Sequence, residues 1–424
     1  MYVRLFMAAA GVLGAAPVWA AAQSASAGFV EDAHLNVLMR NAYISRDYKH
    51  GAQDKAEWGQ GFIGKFSSGF TQGTVGVGVD AFAMYAVRLD GGKGRSGAPG
   101  IEFFKRGDSG AAADDLARAG GAIKLRVSNT VLKYGDMMPT LPVLNHDDSR
   151  LLPESFTGSM LVSNEIEGLE LTAAQFHAEA RKGAQGRDSG DMTSIRLWGA
   201  RYQFTPQLSA SFYASDVEDR IAKQYLGATY SLPLHSDQSL TFDFNGYRST
   251  LDREFANSLA TGRDNKIWSL AATYAFGPHS VTIAHQRSSG DTGYQYGWYG
   301  SGGGVGDGGS TVFLANSYWS DFNAEDERSW QLGYGLDFAA LGVPGLTWRV
   351  AYVRGDNIRT GQGEGREHEI FNQFQYVVQN GAAKDLKVRL RTSWLRTSNN
   401  MRPAGYMDDG NEVRAFIEYP LNIF

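Results

Sequence analysis

The sequence predicts an all-β protein: a transmembrane antiparallel β-barrel whose inward-folded loops narrow its pore. Three observations predict it. Two-residue alternation recurs along the chain, with aliphatic and aromatic residues on one parity and Gly, Ser, Thr, Arg and Lys on the other. A wet interior and an oily exterior suit both faces at once. Glycine is abundant at 52 residues, aromatics make up 12% and charges are dispersed everywhere, which suits a barrel with small inward residues and aromatic girdles better than a soluble core. Finally, a long irregular stretch from residue 137 to 156 holds Pro139, Pro142 and Pro153, yet also Leu141, Val143, Leu144, Leu151, Leu152 and Phe156. Loops this long need a functional explanation, and one this apolar could pack inside something hollow.

The N-terminus has a single Arg4 followed by an apolar run from residue 5 to 16, Pro17 and small residues. This is the pattern of a secretory signal peptide, too short to span a membrane as an anchor. We expect residues 1–22 to be removed and 23–424 to form one barrel domain, with cleavage after Ala22, or alternatively after Ala20 or Ala27. With no cysteine, an exported fold must be stable without disulfides, and thiol chemistry is excluded. A net charge of -5 offers no basic field for nucleic acid. Mean hydropathy is -0.31, as expected when only alternate residues meet lipid.

The elements follow in order. Residues 34–48 place Leu35, Val37 and Met39 on one face, with Asn36 and Arg40 on the other. Residues 58–70 carry Trp58, Phe62, Phe66 and Phe70 on one parity, before a turn at Thr71-Gln-Gly73. Val75, Val77, Val79, Ala81 and Ala83 then oppose Thr74, Gly76, Gly78, Asp80 and Phe82. Inward glycines there leave room in a lumen, at a cost in strand stability. Residues 90–121 are expected to form a long external loop with one short strand near 101–105. A strand through Lys124, Arg126, Ser128 and Thr130, backed by Ile123, Leu125, Val127 and Val131, leads into the irregular stretch. Pattern returns at Met160 and continues past a turn at Ile166-Glu-Gly168.

Strands are expected next near 169–180, 192–204, 208–217, 224–232, 240–248, 266–276 and 280–289, with a polar join over 250–265. Residues 290–316 form a second major loop. Gly304, Gly306 and Gly309 match GxGxxG there, but without a strand-to-helix context the match signals only a flexible loop. The last strands lie near 329–338, 346–354, 368–378, 386–396 and 412–423. Arg349 faces inward from the second of these, against Leu346, Trp348, Val350 and Tyr352. Lys387, Arg389, Arg391 and Ser393 share one face of the fourth, against Leu386, Val388, Leu390, Thr392 and Trp394. The last is interrupted by Pro420 and ends on Phe424, as outer-membrane barrels do when the barrel-assembly machinery reads their terminus. With membrane strands of about 9–11 residues, the length fits either 16 or 18 of them.

Several stretches together resemble the OprD-type, or Occ, family of outer-membrane carboxylate channels. They are His34-Leu-Asn-Val-Leu-Met-Arg-Asn-Ala-Tyr43, Gly69-Phe-Thr-Gln-Gly-Thr-Val-Gly-Val-Gly-Val-Asp80, Leu132-Lys-Tyr-Gly-Asp136, Leu141-Pro-Val-Leu144 and Ser149-Arg-Leu-Leu-Pro-Glu-Ser-Phe156. Ser289-Gly-Asp291, Leu314-Ala-Asn-Ser-Tyr318, Glu327-Arg-Ser-Trp330, Ala340-Leu-Gly-Val-Pro-Gly-Leu-Thr347 and Glu418-Tyr-Pro-Leu421 continue in the family's order. The resemblance implies an 18-stranded barrel, a ladder of Arg and Lys on one wall, and acidic and carbonyl groups opposite. It implies small carboxylate solutes as cargo. Residues 300–309 and 111–115 depart from the family's pattern, in loops where substrate choice is decided.

The residues carry the same chemistry on their own terms. Lys387, Arg389 and Arg391 lie at i, i+2, i+4 and stack on one strand face. Lys124, Arg126, Arg349 and Arg40 are expected beside them, as a path for anions. Arginine keeps its charge in any pore and offers a fork to carboxylates. The bland alternative pairs each of these cations with a wall Asp or Glu. His146, Asp147, Asp148 and Arg150 are expected to line a constriction or to pin the loop by salt bridges. A Ser–His–Asp hydrolase built on His146 with Ser149 or Ser155 is the enzyme alternative, unsupported by any GxSxG. A non-specific porin is the other. The eight histidines include no HExxH and no i, i+4 pair, so neither metal nor cofactor is expected. The expected partners are small carboxylates, outer-membrane lipid and lipopolysaccharide, and the assembly machinery, for a monomer or loose trimer.

Overall fold

Strands dominate because β-branched and aromatic residues alternate with small and polar ones. The computed structural model describes residues 22–90, 95, 101–105, 111–235, 237–296, 299 and 313–424. The expected signal segment, apart from Ala22, and the glycine-rich run at 300–309 lie outside the described residues.

The wall begins with β1 (His34–Tyr48), β2 (Lys55–Ser67), β3 (Val75–Asp90), β4 (Asp115–Val127), β5 (Thr130–Met137) and β6 (Ser155–Ile166). It continues with β7 (Leu169–Ala180), β8 (Ile195–Thr205), β9 (Leu208–Val217), β10 (Ile221–His235), β11 (Gln238–Leu251) and β12 (Asp264–Phe276). It closes with β13 (His279–Gly290), β14 (Arg328–Asp337), β15 (Leu346–Arg359), β16 (Glu364–Val377), β17 (Lys387–Thr397) and β18 (Gly410–Asn422). All 18 lie in one antiparallel sheet, each paired with its neighbours in sequence, and β18 pairs with β1. Closure removes every edge, the only way a sheet satisfies its backbone in lipid. Short turns such as Ser128–Asn129 and 167–168 gather at one end, with the chain termini; the long connections gather at the other. In outer-membrane barrels the long connections face outward from the cell.

The outer face carries exposed apolar side chains, among them Trp198, Leu226, Leu270, Ile283, Trp330, Leu390 and Ile417. Loop segments pack into the interior. The connection 138–154 carries a small hairpin (Thr140–Leu141 with Leu144–Asn145) and crosses inside the barrel. At one end Val143 and Leu144 bury against Phe156, Phe176, Tyr225 and Tyr247. At the other, Leu151 and Leu152 bury against Ile44, Ile63, Met84, Phe104 and Phe416. Glycine explains the second contact. A Cβ on Gly59 would stand 2.5 Å from Leu151 Cδ2, and one on Gly61 would stand 3.3 Å from both leucines.

Five expectations need correction. The strand through Lys124 does not run on to Val131: Ser128 adopts φ 50° in a tight turn, so Ser128 and Thr130 leave the Lys124 face. The loop after β3 ends at Asp115, because 115–127 alternates well enough to join the sheet. Residues 101–105 form no strand; Ile101, Phe103 and Phe104 instead bury inside the barrel, with the Phe103 N–H donating to Glu57 Oε2 at 2.8 Å. The join near 250–265 contains a helix, α1 (Arg253–Ser258), capped by the Asp252 carboxylate accepting from the Glu254 and Phe255 N–H groups. Finally, Gly76 and Gly78 leave no open lumen. Gln23 and Lys124 fill the space beside them, and Phe70 turns inward under Lys124 and Arg126.

Candidate functional site

The closing strands build one wall of the lumen. Lys387, Arg389, Arg391 and Ser393 of β17 face inward, while Val388, Leu390 and Trp394 are exposed outside. On β18, Glu412, Arg414, Phe416 and Glu418 face inward, and Val413 and Ile417 outward. Register then aligns residues far apart in sequence. Arg349 of β15 lies opposite Gln373, Gln373 opposite Arg391, Arg391 opposite Arg414, and Arg414 opposite Ile44. Two residues nearer the turns, Arg389 lies opposite Phe416; two further, Lys387 lies opposite Glu418, and Glu418 opposite Arg40.

These cations are not electrically alike. Glu418 takes Arg40 Nε at 2.8 Å and Lys387 Nζ at 2.6 Å. Arg40 also reaches Asp148 Oδ1 at 2.7 Å. Glu412 takes Arg46 Nε at 2.8 Å and Arg414 Nε at 2.5 Å. Arg389 and Arg391, by contrast, have no ion pair among the described residues. Each lies on a ring instead: Arg389 is 4.8 Å from the Phe416 centroid and Arg391 4.7 Å from that of Phe371. Stacking holds a guanidinium without neutralising it.

Two inward loops approach this wall. In the first, Asp147 is buried, with Oδ2 2.9 Å from Lys182 Nζ and Oδ1 accepting from the Ser149 N–H and hydroxyl. Burial alone would raise the Asp147 carboxyl; Lys182, Arg150 and Ser149 outweigh it and hold it well below the usual carboxylate range. Arg150 donates to Ile101 O at 3.1 Å; burial and the nearby Arg414 push it down to about 10. His146 donates from Nδ1 to Pro139 O at 2.9 Å, and burial lowers its pKa.

The second loop, 313–327, is fastened by Glu369, which accepts from the Trp319 and Ser320 N–H groups at 3.1 and 2.9 Å. It brings Tyr318 to 4.4 Å from the Phe371 ring. Asp321 of this loop accepts from the Ser317 and Tyr296 hydroxyls. Burial raises its carboxyl, and those hydroxyls with Arg391 and Arg414 oppose the rise.

The structure thus brings Arg40, Arg349, Lys387, Arg389 and Arg391 onto one wall, on the alternate strands β15, β17 and β1. Lys124 and Arg126 have other partners. Lys124 Nζ and Lys133 Nζ share Asp80, at 2.7 and 2.6 Å, and Arg126 donates to Gln23 at 2.8 Å. Sequence reading missed Arg46, Asp321, Glu412 and Arg414. The signal for two of these was present, because Glu412-Val-Arg414-Ala-Phe416-Ile-Glu418 alternates cleanly before Pro420. The triad alternative finds no relay: Ser149 Oγ donates directly to Asp147, and His146 Nδ1 to a backbone carbonyl. Among the described residues no group of three or more His, Cys, Asp or Glu is placed to hold a metal ion.

Comparison with known proteins identifies the family and the barrel fold. Residues 27–423 match the family model of the outer membrane porin, OprD family. The chain is 41% identical to Porin D of Pseudomonas aeruginosa over 425 residues, covering 95% of this chain and 93% of that protein. It superposes on the crystal structure of Acinetobacter baumannii OccAB1 with a TM-score of 0.89 and 37% identity, covering 95% of this chain and 99% of that one. It is also similar to Pseudomonas aeruginosa OpdK, solved with vanillate, with a TM-score of 0.81 and 32% identity, covering 93% and 100%. The chain belongs to the OprD family of outer-membrane porins and is a channel rather than an enzyme.

Proposed function

We propose that this channel carries small carboxylate-bearing solutes, aromatic acids among them, by passive diffusion. One observation carries the reading: Arg389 and Arg391 face the lumen on aromatic rings, with no carboxylate paired to either among the described residues. Arg349 and Arg414 lie on the same register row as Arg391, Arg414 sharing Glu412 with Arg46, so the charge left for a passing anion is that of Arg389 and Arg391. Arg40 and Lys387 are already neutralised by Glu418 together with Asp148 and shape the path. The loop bearing His146, Asp147, Asp148 and Arg150 sets its width.

A cation about 4 Å away attracts a carboxylate by about 4 kcal/mol at an effective dielectric near 20, and by about 1 in bulk water. Several moderate sites in a row suit conduction, since each binds and each releases. The rings of Phe371, Phe416 and Tyr318 offer aromatic solutes a stacking surface beside the guanidinium groups. Vanillate in a relative fits that chemistry.

The test is ion selectivity in planar bilayers together with liposome swelling on a panel of carboxylates. We expect an anion-preferring current, weakened roughly fivefold in permeability ratio for each of Arg389→Ala and Arg391→Ala, as about 1 kcal/mol of attraction is lost. A cation-selective current indifferent to both substitutions would refute the reading. Equal swelling with carboxylates and neutral sugars would mark a general porin.

A further inference from the structure

The outer face of the barrel is electrically lopsided at its loop end. On β11 to β17 the lipid-facing parity carries Trp268, Trp330 and Trp394, each exposed. Cations are interleaved with them. Arg248 lies opposite Lys266, and Arg287 opposite Trp268. Arg354 lies between Trp330 and His368 on one register row. Arg248, Lys266, Arg287 and Arg354 are exposed, and none has an ion pair among the described residues. The neighbouring Arg328 and Arg366 differ, being neutralised by Asp356 at 3.4 Å and Glu364 at 3.5 Å.

Among the described residues, the other side presents Arg196 beside the exposed Trp198, but there acids outnumber cations at this height. There the corresponding outward positions include Asp47, Asp115 and Asp216, and Arg196 stands opposite Asp216.

Tryptophan rings at this height sit at the headgroup level of a bilayer. Unpaired cations just there meet phosphate, while the rings beside them meet acyl chains. A second copy of the chain docking through the same face would set cations against cations, which costs several kcal/mol. We propose that the β11–β17 outer face is a binding surface for a phosphorylated lipid of the outer leaflet. Arg248, Lys266, Arg287 and Arg354 contact its phosphates, and Trp268 and Trp330 pack on its chains. None of these side chains faces the lumen, so the surface acts independently of what the pore carries.

The experiment uses the full barrel in detergent, with lipid retention counted by native mass spectrometry. The probes are the bisphosphorylated lipid anchor of lipopolysaccharide, its dephosphorylated form and a zwitterionic phospholipid. The phosphorylated lipid should be retained preferentially. Lys266→Gln, Arg287→Gln and Arg354→Gln together should weaken it on the order of a hundredfold, about fivefold for each cation. Single-channel conductance should not change, and Arg196→Gln on the other side should leave retention intact. If the triple variant does not fold, as judged by heat-dependent mobility on gels, Arg354→Gln alone should still show the fivefold loss. The proposal is overturned if the dephosphorylated lipid binds as well, if Arg196→Gln weakens binding equally, if millimolar inorganic phosphate displaces the lipid, or if the face proves to join two barrels.

Discussion

The loop 138–154 narrows the lumen, and its anchors differ in kind. At its C-terminal end Leu151 and Leu152 are 0% and 1% exposed, seated against Gly59 and Gly61. Beside them Asp148 pairs with Arg40, but its side chain is 42% exposed. Removing a buried leucine to Ala costs about 2–5 kcal/mol. An ion pair this open to water contributes about 1 kcal/mol or less. Arg40 would in any case keep Glu418. The two leucines are neighbours and their losses do not simply add, but one alone outweighs the ion pair. Leu151→Ala with Leu152→Ala should shift the docked-to-undocked ratio of the loop by about a thousandfold or more, and Asp148→Asn by about fivefold at most. In planar bilayers the leucine variant should show larger, noisier unitary currents, and in liposomes a higher size cut-off. Asp148→Asn should keep the wild-type conductance and alter only ion selectivity. The reasoning fails if the leucine variant conducts like the wild type while Asp148→Asn opens the pore.

Three further outcomes are expected. Gly59→Val places a side chain against Leu151, whose Cδ2 already lies 2.5 Å from the Cβ position; the overpacking of about 1–3 kcal/mol should raise current noise, and Leu151→Ala in the same channel should quieten it. His146 has a pKa lowered by burial, so it docks neutral; the stability it allows is present above about pH 6.5 and is lost as pH falls through the lower folded value. Flicker should therefore grow on acidification in the wild type and stay flat in His146→Gln. Lys182→Met leaves the Asp147 carboxylate buried without its nearest cation, at a cost of about 3–5 kcal/mol; the loop should become open to protease, and adding Asp147→Asn should restore its resistance.

Alternation alone revealed the barrel because period two is a local property. Most strands show a lipid face and a lumen face without reference to their neighbours, though the first half of β4 reads as loop, and Val388, Leu390 and Trp394 point outward as their spacing requires. The inward loop was legible too, since Leu151 and Leu152 have no reason to sit in a solvated connection. Finer boundaries were not. Ser128 and Thr130 continue the parity of Lys124 and Arg126 perfectly well, and only a left-handed residue in a tight turn shows that the chain has reversed there. Residues 101–105 look like a strand because they are apolar, yet their partners are Glu57 and the leucines of another loop.

The sequence by itself determined the two-faced wall, several of its inward cations though not Arg46 or Arg414, and the presence of something folded within. It could not rank those cations. Lys124 and Arg391 read identically as basic residues on alternating strands, but one shares Asp80 with Lys133 while the other lies on Phe371 with no ion pair among the described residues. That difference depends on register, which sets Arg349, Arg391 and Arg414 on one row across 65 residues of chain, and on where the inward loops come to rest. A side chain's parity is fixed by its own backbone. Its electrostatic partner is fixed by closure of the whole sheet, so only the tertiary structure could decide it.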